Sequence, residues 1–505
     1  MRHAAIQSFV IVGGGTAGWM TAALLARVLG KTGVKITLLE SPEVDSVGVG
    51  EATVPSFVDF IQILGISEAD FVRQTGATFK LGIKFRNWQK TADGGSHEYW
   101  HPFGNVGAKI DGQPFFQQWL RSHFNGNPHC YTDYSPSAAM GDVGKFYIPD
   151  PRKPNNLTRM GYALHFDAAR VAQYLANFSK GLGVQHVLGH AENILVDSDG
   201  AISAICLKNG EQLAGAFFID CTGARSLLLE GALGVGYCDW RHWLPVDSAV
   251  VVQSENGPEL PPYTESIAHA HGWRWSIPLQ ERTGNGSVFC REYCSAQQAE
   301  RQLLGSIPGK PLSEPRHLGF KTGKREKMWH RNCIAIGLSS GFLEPLESTS
   351  IYLIMRAALT FVGLLPRHPL CAQSCREFNR LMDLEYENIR DFIVLHYCTS
   401  RRDDSDFWRS WRNREIPSSL REKLSLYQRE GRLIRNDLDL FGSDSWHAVL
   451  TGMGVFPESY CPLVDASDSR KVEQLLNNVR GSLQHSVNQL LPHREYLNRF
   501  CSATS

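Results

Sequence analysis

The chain has 505 residues, 43% hydrophobic and 20% charged, a globular composition with room for a large core and more than one ordinary domain. Lys+Arg and Asp+Glu each total 51, so no net field favours a polyanion or an anionic membrane surface, and nucleic acid is not an expected partner. The 12 cysteines are scattered, and the closest pairs, Cys290/Cys294 and Cys371/Cys375, lack the C-x-x-C spacing of zinc or dithiol sites. No metal is expected, and reduced thiols fit a cytoplasmic protein.

The β-branched run Phe9-Val10-Ile11-Val12 reads as a strand that ends at Gly13-Gly14-Gly15, and the Ala- and Leu-rich stretch Trp19 to Leu29 reads as a helix. Lys35 to Glu40 is a second strand ending on an acid, which completes a βαβ unit. Gly13, Gly15 and Gly18 form the G-x-G-x-x-G turn, with Thr16 and Ala17 inside it. The first glycine permits the turn, the second admits a pyrophosphate, and the third lets helix pack on strand. The helix N-terminus offers unpaired N–H groups to phosphate. Glu40, about 20 residues beyond the turn, has the spacing of an acid on the adenosine ribose. The glycine turn starts close to Met1, which predicts no secretory leader.

In Phe79-Lys80-Leu81-Gly82-Ile83-Lys84-Phe85-Arg86 apolar residues alternate with Lys80, Gly82, Lys84 and Arg86, the period of one half-buried strand. Its cationic face is either solvated or points a lysine into a pocket. Trp88 to Asp150 is rich in Trp, Pro and Gly and shows no βα repeat. The strand Ala216 to Asp220 runs into Cys221-Thr222-Gly223, and Cys333 to Ile336 runs into Gly337. These late strand–glycine junctions, with no second nicotinamide fingerprint, favour FAD over NAD, and they add Asp220 and Gly337 to the expected cofactor contacts. Asp220 also reads as a plain strand-end turn acid.

Glu347-Ser348-Thr349-Ser350 precedes the apolar run beginning at Ile351 and predicts a helix start with Ser/Thr caps, where an acid suits the helix dipole and free N–H groups suit a small anion. The apolar stretch Ile351 to Leu365 is too short to span a bilayer. Long helices are predicted over Cys375 to His396 and Glu473 to Leu491. The fold class is thus α/β, a Rossmann-like FAD-binding module with inserted substrate-side elements and a mainly helical C-terminal region. Residues 1–350 form the first part, with insertions at about 80–150 and 230–330, and 351–505 the second.

Three motifs together resemble the flavin-dependent tryptophan halogenases: Gly13-Gly14-Gly15-Thr16-Ala17-Gly18-Trp19, the Lys80 segment, and Trp273-Arg274-Trp275-Ser276-Ile277-Pro278, which is similar to that family's W-x-W-x-I-P signature. Further likeness runs through Gly48-Val49-Gly50-Glu51-Ala52-Thr53, His101-Pro102-Phe103, Pro345-Leu346-Glu347-Ser348-Thr349 and Arg390-Asp391-Phe392, so the resemblance covers most of the chain. It implies that Gly50, Glu51, Ala52 and Ile351 join the FAD site. It also implies that reduced FAD and oxygen give a hydroperoxide, from which chloride or bromide, held near the backbone of Thr349 and Ser350, forms hypohalous acid. By the same resemblance that acid is expected to travel to Lys80, which would hydrogen-bond it or become a haloamine. Glu347 would orient the halogenating species and help remove the ring proton. The tryptophans of the signature would keep substrate from the flavin. Ser350 stands where family members usually have glycine, a departure at the halide pocket.

His101 and Phe103 match the ring-sandwiching positions and imply a flat aromatic substrate. The segment Ser443-Asp444-Ser445-Trp446-His447-Ala448, with Trp446 at the substrate, lacks the paired tyrosines that clamp free tryptophan in the family, which points to indole or an indole-bearing molecule. No nicotinamide domain is evident, so a transient partner, a separate flavin reductase, is expected to supply reduced FAD to a monomer or homodimer. A flavin-dependent aromatic monooxygenase and a non-catalytic flavin-binding protein remain the alternative readings of the same fold.

Overall fold

The computed structural model describes residues 6–42, 50–91, 95–434 and 439–502. Gly48 and Val49 of the glycine-rich motif lie outside these. The nucleotide-type sheet has six strands in the order Trp329–His330, Cys333–Ala335, Phe217–Asp220, Ser8–Val12, Lys35–Glu40 and Gln185–Leu188, all parallel except the first. Its strands read as apolar runs because both faces are covered, and Phe9, Ile11, Phe217 and Ile219 are buried on one of them. Val12 pairs with Asp220, so the turns at Gly13 and Cys221 emerge side by side at the carboxyl edge of the sheet, the usual ligand edge of such folds.

A seven-stranded sheet stands apart from this one. It is built from Gly82–Arg86 and Glu98–Pro102 on one side and from strands between Ser248 and Gly319 on the other. A small sheet joins the two regions, with Ala163–Asp167 between Gly50–Ala52 and Thr78–Lys80.

The segment Phe79 to Arg86 is therefore two strands in two sheets, not the single half-buried strand its alternation predicts. The chain changes partners at Leu81, whose N–H donates to the Pro262 carbonyl and whose own carbonyl accepts from Phe103 N–H. At Gly82 a Cβ would lie 2.4 Å from the His101 carbonyl oxygen, so only glycine lets the two strands approach. Both faces are covered, and Lys80 is fully buried like its apolar neighbours. Lys84 and Arg86 end instead in ion pairs with Glu98, Asp142 and Glu265.

The helix Ser350–Gly363 packs on Thr16–Leu29, and Gly337 sits where a Cβ would press on Ala17 and Ile354. The long helix runs Ala372–Cys398. The predicted Glu473 to Leu491 helix runs Ser469–Asn488, because Asp468 caps it by accepting from the N–H groups of Arg470 and Lys471. Among the described residues no helix is long and apolar enough to cross a membrane.

Asp220 holds the carboxyl edge together. Its Oδ1 accepts from the N–H and hydroxyl of Thr222, and its Oδ2 from the Ser226 hydroxyl and the N–H groups of Leu228 and Leu229. Replacing it by alanine strands these buried donors, so Asp220→Ala is expected to lower the unfolding free energy by about 2–4 kcal/mol in urea titration. A loss under about 0.5 kcal/mol would show that the turn stands without it.

Candidate active site

The glycine turn fits a dinucleotide. Gly13 has φ +119° and its Cβ would fall 2.2 Å from the Cys221 carbonyl oxygen, while a Cβ on Gly18 would lie 1.8 Å from the Gly13 carbonyl oxygen. Gly15 has nothing within 4 Å of that position and caps the helix with no side chain, which leaves the first N–H groups at Thr16, Ala17 and Gly18 open to phosphate. Glu40 lies against Gly14 and gives Oε2 to His186 at 2.7 Å, leaving Oε1 for a hydroxyl donor. Gly337 closes over Ala17. Asp220, expected as a direct contact, spends both oxygens on its own loop, so its part in this site is indirect.

Gly50–Ala52 links this edge to the interior. A Cβ on Gly50 would press on Ile277 of the Trp273–Pro278 segment, and burial pushes the Glu51 carboxyl up to about 7. Directly after this strand, the Thr53 carbonyl accepts from Lys80 Nζ at 2.9 Å. A second Lys80 donor goes to the Ser348 hydroxyl at 2.8 Å, and the nitrogen lies 5.0 Å from the Phe103 ring centroid. Burial lowers the amine to about 7, against the opposing pull of Glu347.

Glu347 sits in the 3₁₀ turn Pro345–Glu347, one turn ahead of the helix that starts at Ser350. Its Oε2 takes a 2.7 Å hydrogen bond from His101 Nδ1 and its Oε1 a 2.7 Å bond from His396 Nε2. Burial alone would raise this carboxyl, but the two imidazoles overcome it and hold it down at about 2. Glu344, the residue before the same turn, goes the other way. It is fully buried, its Oε1 accepts from Trp273 Nε1 at 3.0 Å and Tyr397 OH at 2.6 Å, and its Oε2 has no partner among the described residues. Burial pushes it up to about 7. One short turn thus carries an ionised carboxylate and a carboxyl that titrates near neutrality.

His101, Phe103 and Trp446 meet in an aromatic cluster completed by Phe392 and Phe441. Phe392 stacks on Phe441 at 3.9 Å and meets His101 at 5.4 Å and Trp446 at 5.1 Å. Below it, Thr349 begins the helix with no side-chain cap, and its buried hydroxyl has no partner among the described residues. The expected Ser/Thr cap is thus absent, which leaves the N–H groups at Ser350 and Ile351 outside the helical ladder. Ile351 itself is buried and Ser350 half-buried.

Sequence patterns assign no site role to Thr53, Tyr99, Glu344, Ser348, His396 and Tyr397. Thr53 and Ser348 stand in motifs that carry the resemblance, and Glu344 is a second acid within three residues of Glu347; Tyr99, His396 and Tyr397 join the site through contacts across long stretches of chain.

The model of the family described as tryptophan halogenase matches residues 8–469. The chain is 34% identical to tryptophan 6-halogenase SttH of Streptomyces toxytricini, over 96% of this chain and 97% of that one. Its structure superposes on BrvH, a flavin-dependent halogenase from Brevundimonas sp. BAL3, with TM-score 0.93 and 39% identity, covering 98% and 99% of the two chains. It matches Xcc4156, a flavin-dependent halogenase from Xanthomonas campestris, with TM-score 0.94 and 39% identity at the same coverage. A dinucleotide edge joined to a buried lysine and an ionised glutamate agrees with these likenesses, and the chain belongs to the tryptophan halogenase family as a flavin-dependent halogenase.

Proposed function

We propose that the protein places chlorine or bromine on indole or an indole-bearing molecule, using reduced FAD supplied by a separate reductase. The observation that carries this reading is the buried amine of Lys80, which has one donor position left after Thr53 and Ser348, beside a glutamate kept ionised. Bound reduced flavin and oxygen supply the oxidising equivalent that converts halide to hypohalous acid. The uncapped N–H groups at Thr349 to Ile351 hold the halide, with Ser350 the departure from the family's usual glycine at that end of the site.

The residues then divide the work. Lys80 as ammonium hydrogen-bonds hypohalous acid and gives a proton to the departing hydroxide, so water leaves as the halogen bonds to a ring carbon. Glu347 stabilises the cationic ring and takes its proton, so an aromatic hydrogen and hypohalous acid become the aryl halide and water. Proton return from Glu347 to Lys80 resets the pair. His101, Phe103 and Trp446 hold the ring, and Trp273 and Trp275 wall it from the cofactor.

The segment Ser443 to Ala448 offers the amino-acid end of free tryptophan no paired tyrosines. Asp444, the acid in the segment that replaces the paired tyrosines, is occupied by Tyr131 OH at 2.8 Å and Val106 N–H at 3.3 Å. This favours a substrate recognised by its ring.

With reductase, FAD, oxygen and bromide present, Lys80→Ala is expected to lose brominated product by about 100-fold or more while flavin oxidation continues. Undiminished product by mass spectrometry would remove Lys80 from the mechanism. Because the amine titrates at about 7 and acts as ammonium, wild-type kcat is expected to fall as pH rises through that value. A rise over the same interval would assign the neutral amine as the halogen acceptor. Indole is expected to exceed tryptophan in kcat/KM by about tenfold or more, and comparable values would overturn the assignment of substrate.

A further inference from the structure

Both oxygens of Glu347 have donors, His101 on the strand Glu98–Pro102 and His396 on the helix Ala372–Cys398. His396 is wholly buried. Its Nδ1 is 2.7 Å from Tyr99 OH. Tyr99 and His101 are two apart on the strand Glu98–Pro102 and so point to one face. That strand therefore grips the carboxylate twice, through His101 directly and through Tyr99 by way of His396. The His396 ring is fixed in plane by Phe85, stacked at 4.7 Å, and edge-on by Trp88 at 5.7 Å and Phe392 at 5.6 Å. Phe85 also stacks on Tyr99 at 4.7 Å.

The hydrogen-bond directions are determined. An ionised carboxylate only accepts, so Nε2 of His396 must carry a proton. Burial lowers His396 and keeps it neutral, so Nδ1 is bare and must accept, and the Tyr99 phenol, raised well above its ordinary range, is the donor. Among the described residues the titratable groups around Glu347 are Lys80, Tyr99, His101, Glu344 and His396, and of these the two imidazoles hydrogen-bond it.

We propose that His396, held at Nδ1 by the Tyr99 hydroxyl, is a positioning residue for halogenation: it fixes the Glu347 carboxylate in place and in its ionised form. This rests on the reading of Glu347 given above. Without His396, Oε1 faces apolar rings with no donor, the carboxylate turns or protonates, and the ring proton loses its acceptor.

The test uses the full-length enzyme with reductase, FAD, bromide and indole. His396→Phe is expected to cut kcat for brominated product roughly 10- to 100-fold, the range for one charge-assisted hydrogen bond, with KM for indole within about twofold. The acid limb of its kcat–pH profile is expected to move up by about one unit or more, because Glu347 loses a donor that keeps it ionised. His396→Gln, which keeps an N–H donor, is expected to recover most of the rate, and Tyr99→Phe, which keeps the ring but removes the donor that holds Nδ1, to fall between. Thermal melting and FAD affinity identify any variant that fails to fold. Wild-type turnover and acid limb in His396→Phe would overturn the proposal, as would a folded His396→Gln no better than His396→Phe. Absence of brominated product from the wild type would instead overturn the halogenating reading itself.

Discussion

A lysine and a glutamate are both buried near one another, and neither could stay charged there without dedicated partners. Desolvation disfavours each ion by several kcal/mol in an apolar interior. The glutamate is rescued by two imidazole donors, and the lysine, given only a carbonyl and a hydroxyl, is left at about 7. Almost every unusual feature of the surrounding chain serves this imbalance. The strand break at Leu81 turns Lys80 inward, the glycine at position 82 lets the His101 strand approach, and the left-handed Ser348 at φ +60° aims a hydroxyl at the amine.

The same elements tie Lys80 and Glu347 to the carboxyl edge of the nucleotide-type sheet. Lys80 hangs from the carbonyl that follows Gly50–Ala52, and Glu347 sits one turn before the helix whose Ile354 touches Gly337 and, through it, Ala17. The Trp273–Pro278 strand spans both ends, with Trp273 bonded to Glu344 and Ile277 under Gly50. Trp273, Trp275 and Ile277 alternate along that strand and so share one of its faces, all three buried.

Much of this was legible in the chain. The glycine turn, Glu40, Lys80, Glu347 and the paired tryptophans each carry a local pattern. Alternation over Phe79 to Arg86, however, cannot distinguish one strand from two joined by a change of partner, since both have period two. Asp220 looked like a cofactor contact because strand-end acids serve both loops and ligands, and only the five donors around it decide. Tyr99 and His396 gave no signal, because their importance lies in a contact spanning 297 positions.

The third corner of the Lys80 nitrogen sets a limit on traffic. An ammonium has three donors, and two are committed to Thr53 and Ser348. Among the described residues one donor position of this fully buried nitrogen is uncommitted. On the reading proposed above, the lysine would therefore engage a single acceptor at a time, and oxidising equivalents would pass it one by one rather than collect there.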